Sequence, residues 1–130
     1  MSMERFADLV KFDAQGLVAA IVQDDATGEV LMVAYMNAEA LRKTVETGRT
    51  HFWSRSRKKM WLKGEESGHV QEVKSIAVDC DGDALLVRAE QRVAACHTGY
   101  RTCFYRRRTA DGGVEAVGER LFDPATTYKK

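Results

Sequence analysis

Four apolar segments rich in β-branched residues, arranged as two pairs around short turns, constrain the fold of this chain more than any other feature. These segments are residues 17–23, 29–36, 70–79 and 84–91. The first pair is separated by residues 24–28 (DDATG), which have the composition of a turn. The second pair flanks Asp81-Gly82, a dipeptide typical of tight hairpin turns between alternating strands. The sequence therefore predicts strands at all four segments and a β-hairpin at each turn.

One segment between the pairs has the pattern of a helix. Asn37 is a good N-cap, apolar residues recur after it at helical spacing, and Gly48 follows where a C-terminal cap is expected. We therefore expect one main helix at about 38–47. Further strands are expected at 50–54, 103–108 and 114–117. The predicted fold is α+β and β-rich, in a single domain spanning residues 1–130, because no repeat, linker or low-complexity segment divides the chain.

Composition places the chain among folded globular proteins. Hydrophobic residues make up 45% of the chain and charged residues 30%, a balance that excludes disordered and membrane proteins. Residues 1–20 lack the apolar core of a signal peptide, and no run approaches the ~18 apolar residues of a spanning helix. We therefore expect a cytoplasmic protein without a membrane partner. The net charge of +1 leaves any attraction of an anionic partner to local basic clusters.

Three cysteines, Cys80, Cys96 and Cys103, are the first candidates for chemistry. An odd number of cysteines in a reducing compartment argues against a disulfide framework. Their spacing matches none of the common structural zinc motifs, so burial in the core remains an alternative to metal binding. Three thiolates without a fourth ligand would suit a catalytic zinc, which keeps one coordination position open. His97 is the nearest candidate general base, although in extended backbone its side chain points away from that of Cys96.

A second candidate site is acidic. Asp79, Asp81 and Asp83 place three carboxylates close together in sequence, and water, a basic side chain or a hard cation such as magnesium would relieve their repulsion. Solvated turn aspartates are the alternative interpretation. An EF-hand is excluded because Ala84 stands where that calcium loop requires glycine, and because the flanking segments are predicted strands.

A long polar segment, residues 56–68, is predicted to be a functional loop, because loops longer than ~12 residues in a compact domain are usually functional or disordered. The segment is basic and contains Gly64 and Gly68, which free backbone amides, so it has the chemistry to hold phosphates. Trp53 or Trp61 could stack on a base. The same features suit single-stranded nucleic acid, so a nucleic-acid-binding module with a structural zinc is an alternative function. Solvated surface is the other alternative for these basic residues.

Three longer segments are distinctive as whole motifs: WSRSRKKMWLKGEESGHVQ (53–71), DCDGDALL (79–86) and ACHTGYRTCFY (95–105). Together they resemble the signature segments of the phosphoribosyl-AMP cyclohydrolases of histidine biosynthesis, and the resemblance covers about 17–108. It departs mildly at Tyr100, where Arg is common, at Thr102, where Ser is common, and at His69-Val70, where many members have Asn-Thr. None of these departures touches a predicted metal ligand.

The resemblance implies a reaction and the residues that perform it. Water attacks C6 of the N1-ribosylated adenine of phosphoribosyl-AMP, and the C6–N1 bond opens to give an imidazole carboxamide. The three cysteines would bind Zn²⁺, the three aspartates would bind Mg²⁺, and His97 would assist proton transfer. The candidate substrate-binding residues are Trp53, Arg55, Arg57, Lys58, Trp61, Lys63, Gly64, Glu65, Ser67, Gly68, Gln71, Thr98 and Arg101.

The resemblance also implies the assembly. It predicts an intertwined homodimer in which each subunit forms a barrel-like antiparallel sheet capped by one helix. The zinc site would be completed across the interface, with Cys80 from one subunit and Cys96 and Cys103 from the other. A chain of 130 residues leaves no room for the pyrophosphohydrolase domain that some members carry, so we expect a single-step enzyme without a nucleic-acid partner.

Overall fold

The structure, a computed structural model, describes residues 3–127. Its strands are β1 (Val18–Asp24), β2 (Val30–Met36), β3 (His51–Ser54), β4 (Lys59–Leu62), β5 (Gln71–Val78), β6 (Ala84–Gln91), β7 (Arg106–Arg108) and β8 (Val114–Ala116). Its helices are α1 (Met3–Ala7), α2 (Ala38–Thr47) and α3 (Pro124–Thr127). The predicted domain spans residues 1–130, of which 1, 2 and 128–130 lie outside the described residues. Among those described, no helix has the length and apolar character needed to cross a membrane.

The main sheet has the strand order β2-β1-β6-β5 and is built from the two predicted hairpins. β1 pairs antiparallel with β2, and β5 pairs antiparallel with β6, so both hairpin predictions are confirmed. The two hairpins meet through β1 and β6, which run parallel, with Ala19 opposite Ala84 and Val22 opposite Val87. Each hairpin thus supplies one central strand and one edge strand.

The expected barrel-like antiparallel sheet is wrong in two respects. The sheet is mixed because β1 and β6 are parallel, and within residues 3–127 it does not close into a barrel. Beside the edge strand β2, Thr102 Oγ1 donates to the Val30 carbonyl oxygen (2.7 Å), and the Cys103 N–H donates to the Leu31 carbonyl oxygen (2.7 Å). A loop therefore occupies this part of the edge, where closure would require a hydrogen-bonded strand.

The predicted main helix is confirmed with the expected bounds. Asn37 Oδ1 accepts the N–H of Ala40 (2.8 Å), which satisfies one of the free donors of the first turn. Gly48 has a left-handed φ of 74°, and its N–H donates to the Thr44 carbonyl oxygen (3.0 Å), which ends the helix. The helix buries Ala40, Leu41 and Thr44 on the side that contacts β2 and β3.

Part of the predicted loop 56–68 is a strand. β4 pairs antiparallel with β3, from His51 opposite Leu62 to Ser54 opposite Lys59, so the prediction of a continuous loop is wrong for residues 59–62. Phe52 and Trp61 lie opposite each other with ring centroids 5.0 Å apart, and this cross-strand pair stabilises the hairpin despite its lysines. The strand predicted at 103–108 is shorter, because only its last three residues pair with β8.

The two faces of the main sheet differ in their cover. The inner face carries the core, which includes residues of α2 and of the β3-β4 hairpin. On the outer face, Val33, Ile21, Leu86 and Ala77 lie side by side across the four strands, a row that we call the outer stripe. Val33 is 49% exposed, and Ala77 is exposed as well. The outer face is therefore the less protected apolar surface of the sheet.

The main sheet also has two ends. At the acidic end, residues 79–83 form the turn between β5 and β6. At the cysteine end, β6 finishes at Gln91 and leads into residues 92–105, which we call the cysteine loop. The length of β6 separates these two ends.

Candidate active site

The cysteine loop brings two of the three cysteines together. The Cys96 N–H donates to the Tyr100 carbonyl oxygen (3.2 Å), and the Gly99 N–H donates to the Cys96 carbonyl oxygen (3.1 Å), which forms a tight turn. Gly99 has a φ of 104°, and a Cβ on it would lie 2.6 Å from the Phe122 carbonyl oxygen. Only glycine fits this turn, which directs the chain back so that Cys103 lies beside Cys96.

The thiols of Cys96 and Cys103 lie close to each other and to a buried lysine. Burial raises the pKa of Cys103 to about 12, and the charge of Cys96 and a hydrogen bond with it act in the same direction. Lys63 is 8% exposed, and its Nζ donates to the Ala95 carbonyl oxygen (2.5 Å). Burial lowers the pKa of Lys63, while the two neighbouring cysteines oppose this effect. Thr98 Oγ1 lies 2.8 Å from Cys96 Sγ. The site therefore offers two adjacent sulfur donors, whose thiolate forms a metal cation would favour.

His69 is a further residue at this site, and the sequence analysis did not select it. It is 8% exposed, and within the described part of the chain its buried Nδ1 has no hydrogen-bond partner. Its ring packs edge-on against that of Phe122, with centroids 4.6 Å apart. Burial and the charge of Lys63 lower the pKa of His69, which favours the neutral imidazole. Its only sequence signal was the departure from the Asn-Thr that is common in the resembling family.

Gln71, predicted to bind substrate, is fully buried. Thr50 Oγ1 donates to its Oε1 (2.7 Å), and its Nε2 donates to Gln91 Oε1 (2.7 Å). Gln91 Nε2 in turn donates to the carbonyl oxygens of His69 (3.1 Å) and Ala94 (3.3 Å). Gln71 therefore supports the site indirectly. Its hydrogen bond to Gln91 belongs to a chain of amides that fixes the backbone at the start of the cysteine loop.

The acidic end holds the three aspartates and the third cysteine. One oxygen of each of Asp79, Asp81 and Asp83 lies within 4.8 Å of the others, and all three residues are exposed. Asp79 Oδ1 accepts the N–H groups of Asp83 (3.0 Å) and Ala84 (3.3 Å). A hydrogen bond with Asp79, together with the charges of Asp79 and Asp81, raises the pKa of Asp83. Cys80 lies in the same turn and is exposed. The cluster has the oxygen donors that magnesium prefers.

Cys80 is remote from the other two cysteines of the same chain. The strand registers, with a rise of about 3.3 Å per residue and a strand spacing of about 4.8 Å, place it on the order of 20 Å from them. Zinc binds thiolates at about 2.3 Å, so these three residues of one chain cannot share an ion. Cys96 and Cys103 fit part of a zinc site, which needs a further ligand from outside this set.

A groove of about 530 Å³ lies toward the acidic end of the outer face. It is lined by Trp53, Arg55 and Lys58, which the sequence predicted to bind substrate. The remaining lining residues, which sequence reasoning missed, are Asp13, Gln15, Leu17 and Tyr35. The guanidinium carbon of Arg55 lies 4.0 Å from the centroid of the Tyr35 ring. The volume falls in the range of about 300–1,000 Å³ typical of small-molecule sites.

The turn between β4 and β5 contains four of the predicted substrate-binding residues, namely Gly64, Glu65, Ser67 and Gly68. The Gly68 N–H donates to the Gly64 carbonyl oxygen (2.7 Å), and Ser67 Oγ accepts the N–H of His69 (3.1 Å). Trp61, just before this turn, is half-buried against Phe52. The turn therefore joins the predicted substrate-binding hairpin to β5, and Lys63 at its start lies beside the cysteine pair.

Three other predicted residues, Arg57, His97 and Arg101, do not line the groove. Arg57 is exposed on the turn between β3 and β4, and His97 is exposed on the cysteine loop. Arg101 forms ion pairs with Asp24 (2.8 Å) and Glu29 (3.5 Å), so its charge is already compensated in this chain.

Together these groups define a class of protein. The groove combines two cations with two aromatic rings, which suits a ligand that carries phosphates and a planar base. The thiol pair and the carboxylate cluster offer the kinds of donor that metal-assisted hydrolysis uses. The fold and the site are those of a small α+β enzyme for a phosphorylated, base-containing substrate.

Comparison with known proteins gives the family. The family model described as phosphoribosyl-AMP cyclohydrolase matches residues 32–105. The phosphoribosyl-AMP cyclohydrolase of Methanococcoides burtonii is 57% identical over 121 residues, which cover 93% of this chain and 97% of that protein. The proteins of the same name from Pelotomaculum thermopropionicum and Chlorobaculum tepidum are 59% and 51% identical, over 95% and 99% of this chain and 95% and 94% of their own. The chain belongs to the phosphoribosyl-AMP cyclohydrolase family, which confirms the resemblance seen in the sequence.

Proposed function

We propose that this chain hydrolyses phosphoribosyl-AMP, opening the adenine ring at the C6–N1 bond in the third step of histidine biosynthesis. The observation that carries the proposal is 57–59% identity to proteins named for this activity, over more than nine-tenths of the chain. The groove at Trp53, Arg55 and Lys58 supports it, because the substrate carries two phosphoribosyl arms and a purine ring. A cytosolic location stays a prediction of the sequence.

The reaction needs an activated water, stabilisation of charge at C6 and a proton for N1. The cysteine thiolates would hold a zinc ion, which when bound would supply the first by lowering the pKa of water to about 7. In our proposal Arg55 and Lys58 bind phosphate, Trp53 stacks on the base, and His97 delivers the proton to N1. His97 suits this role because it is exposed on the loop that also carries Cys96. The three aspartates would hold magnesium near the phosphates.

We further infer that each site is shared by two subunits. Cys96 and Cys103 need a third thiolate, and Cys80 of their own chain is on the order of 20 Å away. In such a dimer, the outer stripes of two subunits would pack face to face about a twofold axis, with the strands antiparallel across the interface. This packing brings the acidic end of one chain to the cysteine end of the other. The same packing would bury the exposed side chain of Val33 and would join the groove of one subunit to the thiols of its partner.

The test is turnover of phosphoribosyl-AMP, followed with metal analysis before and after removal of zinc by a chelator. We expect activity that is lost with zinc and restored by adding it back. The His97→Ala variant should lose about 100-fold or more in kcat while it keeps its zinc and its melting temperature. His51, whose Nδ1 lies 2.9 Å from the Arg49 carbonyl oxygen at the start of β3, gives the matched control His51→Ala, with unchanged kcat. Absence of ring opening in zinc-replete protein would refute the proposal.

A further inference from the structure

The groove contains a contact between two side chains that come from different parts of the chain. Arg55 lies in the turn between β3 and β4, and Tyr35 lies on β2. The guanidinium carbon of Arg55 is 4.0 Å from the centroid of the Tyr35 ring. This distance is well within the ~6 Å over which a cation is attracted to the face of an aromatic ring.

The Tyr35 ring is a fixed platform. It stands near the C-terminal end of β2, within the ladder that pairs β2 with β1, and points to the outer face, where it lies opposite Ala19 of β1. Because the side chain of Ala19 is small, the half-buried ring has room beside it on the sheet surface. A residue on a hydrogen-bonded strand holds its orientation better than one on a loop.

Arg55, by contrast, belongs to an exposed turn. The Lys58 N–H donates to the Ser54 carbonyl oxygen (2.9 Å), and the Arg57 N–H donates to Ser54 Oγ (3.2 Å), which fixes the backbone of the turn. The side chain of Arg55 remains long and exposed, and holding it in one place costs rotamer entropy. The contact with Tyr35 restricts the rotamers of Arg55 in the free protein, so less entropy is lost when a ligand binds.

With its carbon over the Tyr35 ring, the guanidinium of Arg55 keeps its N–H edge available for a ligand. Stacking occupies a face of the planar group, whereas its N–H donors lie at the edge and can bind two oxygens of one phosphate. Lys58 lines the same groove and adds a second positive charge. The Asp13 carboxylate, also in the lining, accepts the N–H groups of Gln15 (2.9 Å) and Leu17 (3.0 Å) and is thus held in its own turn.

We propose that Tyr35 is a positioning residue, whose ring holds the Arg55 guanidinium against the wall of the groove so that its N–H edge binds a substrate phosphate. The proposal rests on the proposed function for the identity of the substrate. It assigns to Tyr35 a role in substrate binding through its ring, and no role for its hydroxyl group or in the chemical step.

The test compares KM and kcat for phosphoribosyl-AMP. We expect Tyr35→Leu to raise KM about three- to tenfold with kcat unchanged within about twofold, because ground-state and transition-state binding weaken equally. Tyr35→Phe keeps the ring and should keep KM within about twofold of the wild type. Arg55→Lys keeps the charge but loses the planar group, so it should raise KM. Because Arg55 is exposed, this replacement should leave the fold intact. Arg42→Ala, which removes an exposed arginine from α2, is the control with unchanged KM.

A double-mutant cycle decides whether Tyr35 acts through Arg55. Tyr35→Leu should add nothing to the KM of Arg55→Ala, whereas independent effects would multiply. Multiplicative effects, an equal loss in Tyr35→Phe and Tyr35→Leu, or a loss confined to kcat would each overturn the proposal. Melting temperatures of all variants identify any that unfold. If Tyr35→Leu unfolds, the KM of the exposed Arg55→Lys variant decides the test.

Binding of AMP, measured by calorimetry, separates this proposal from the proposed function. Wild-type turnover with an unchanged KM in Tyr35→Leu would leave the function standing and overturn the role of Tyr35. If the wild type shows no turnover, the proposed function fails, and AMP binding still decides the role of the pair. A dissociation constant for AMP that rises about three- to tenfold in Tyr35→Leu supports the pair, and an unchanged constant overturns it.

Discussion

Mixed dimers of two inactive variants should recover activity if the zinc site is shared between subunits. The variants are Cys80→Ser, at the acidic end, and Cys96→Ser, at the cysteine end. Each homodimer of a single variant lacks one ligand in both of its sites, so each should be inactive. In a mixed dimer, one site collects both substitutions, while the other combines the intact Cys80 of one subunit with the intact Cys96 and Cys103 of its partner.

The expected magnitude follows from this geometry. With equal amounts of two subunits and random pairing, about half of the dimers are mixed, and each has one intact site of two. Co-expression should therefore give about a quarter of the wild-type specific activity, and purified mixed dimers about half. If one chain held all three ligands, every site in the mixture would carry one substitution, and activity would stay at the level of the parents.

The assay is turnover of phosphoribosyl-AMP by differently tagged subunits, co-expressed and purified through both tags, with zinc measured in the same samples. Cys80 is exposed, so its replacement by serine should not perturb the fold, and serine is close to cysteine in size at the buried Cys96. Co-expressed Cys96→Ser and Cys103→Ser is the matched control, because both residues lie in one subunit's half of the site and no mixture can restore it. Mixed Cys80→Ser and Cys96→Ser dimers without activity would refute the shared site.

Three further predictions concern stability, each followed by denaturant unfolding. Phe52→Ala should cost about 3–5 kcal/mol, because its fully buried ring would leave a cavity between the sheet and the β3-β4 hairpin. Asn37→Ala should cost about 1 kcal/mol by removing the cap of α2, with Asn37→Asp as the variant that keeps it. Burial raises the pKa of Asp24, but hydrogen bonds from Thr27 and the charge of Arg101 outweigh it and lower the pKa overall. The contribution of Asp24 to the free energy of unfolding is therefore present above its unfolded pKa of about 3.9 and is lost as pH falls through the folded pKa. Asp24→Asn should make the free energy of unfolding less dependent on pH in this acid range.

The elements that sequence analysis predicted correctly are specified by neighbouring residues. The bounds of α2 follow from Asn37 and Gly48, which lie next to the residues they cap. The β5–β6 hairpin follows from Asp81-Gly82 and the alternation on either side. In these cases the physical cause and its effect lie within a few residues, so a single sequence is sufficient to find them.

The elements that it missed depend on contacts between distant residues. The parallel pairing of Ala19 with Ala84 joins two hairpins and has no local signal, so the mixed sheet was not predicted. The charged, polar composition of residues 56–68 predicts a loop, whereas the pairing of Trp61 with Phe52 across the hairpin makes residues 59–62 a strand. The candidate residues Trp53, Arg55 and Lys58, which line the groove, stand in a recognisable sequence motif, whereas Tyr35 reaches the groove only through the packing of β2 beside the β3-β4 hairpin.

Lys58 and Lys63 show why residue type alone does not assign a role within the basic segment. The sequence grouped both as substrate-binding residues, but Lys58 lines the groove, whereas Lys63 is buried with its Nζ on the Ala95 carbonyl oxygen. Replacing Lys63 by methionine leaves that buried carbonyl without its donor, which should cost about 1–3 kcal/mol of stability.

Lys58→Met is the matched variant for this comparison. It removes an exposed charge and should change the free energy of unfolding by less than about 0.5 kcal/mol, while the loss of a phosphate contact raises KM. Denaturant unfolding and steady-state kinetics on both variants check the contrast. Equal effects of the two substitutions on stability would show that the ammonium of Lys63 does not support the cysteine loop, because the predicted difference rests on its burial and on its hydrogen bond to the Ala95 carbonyl oxygen.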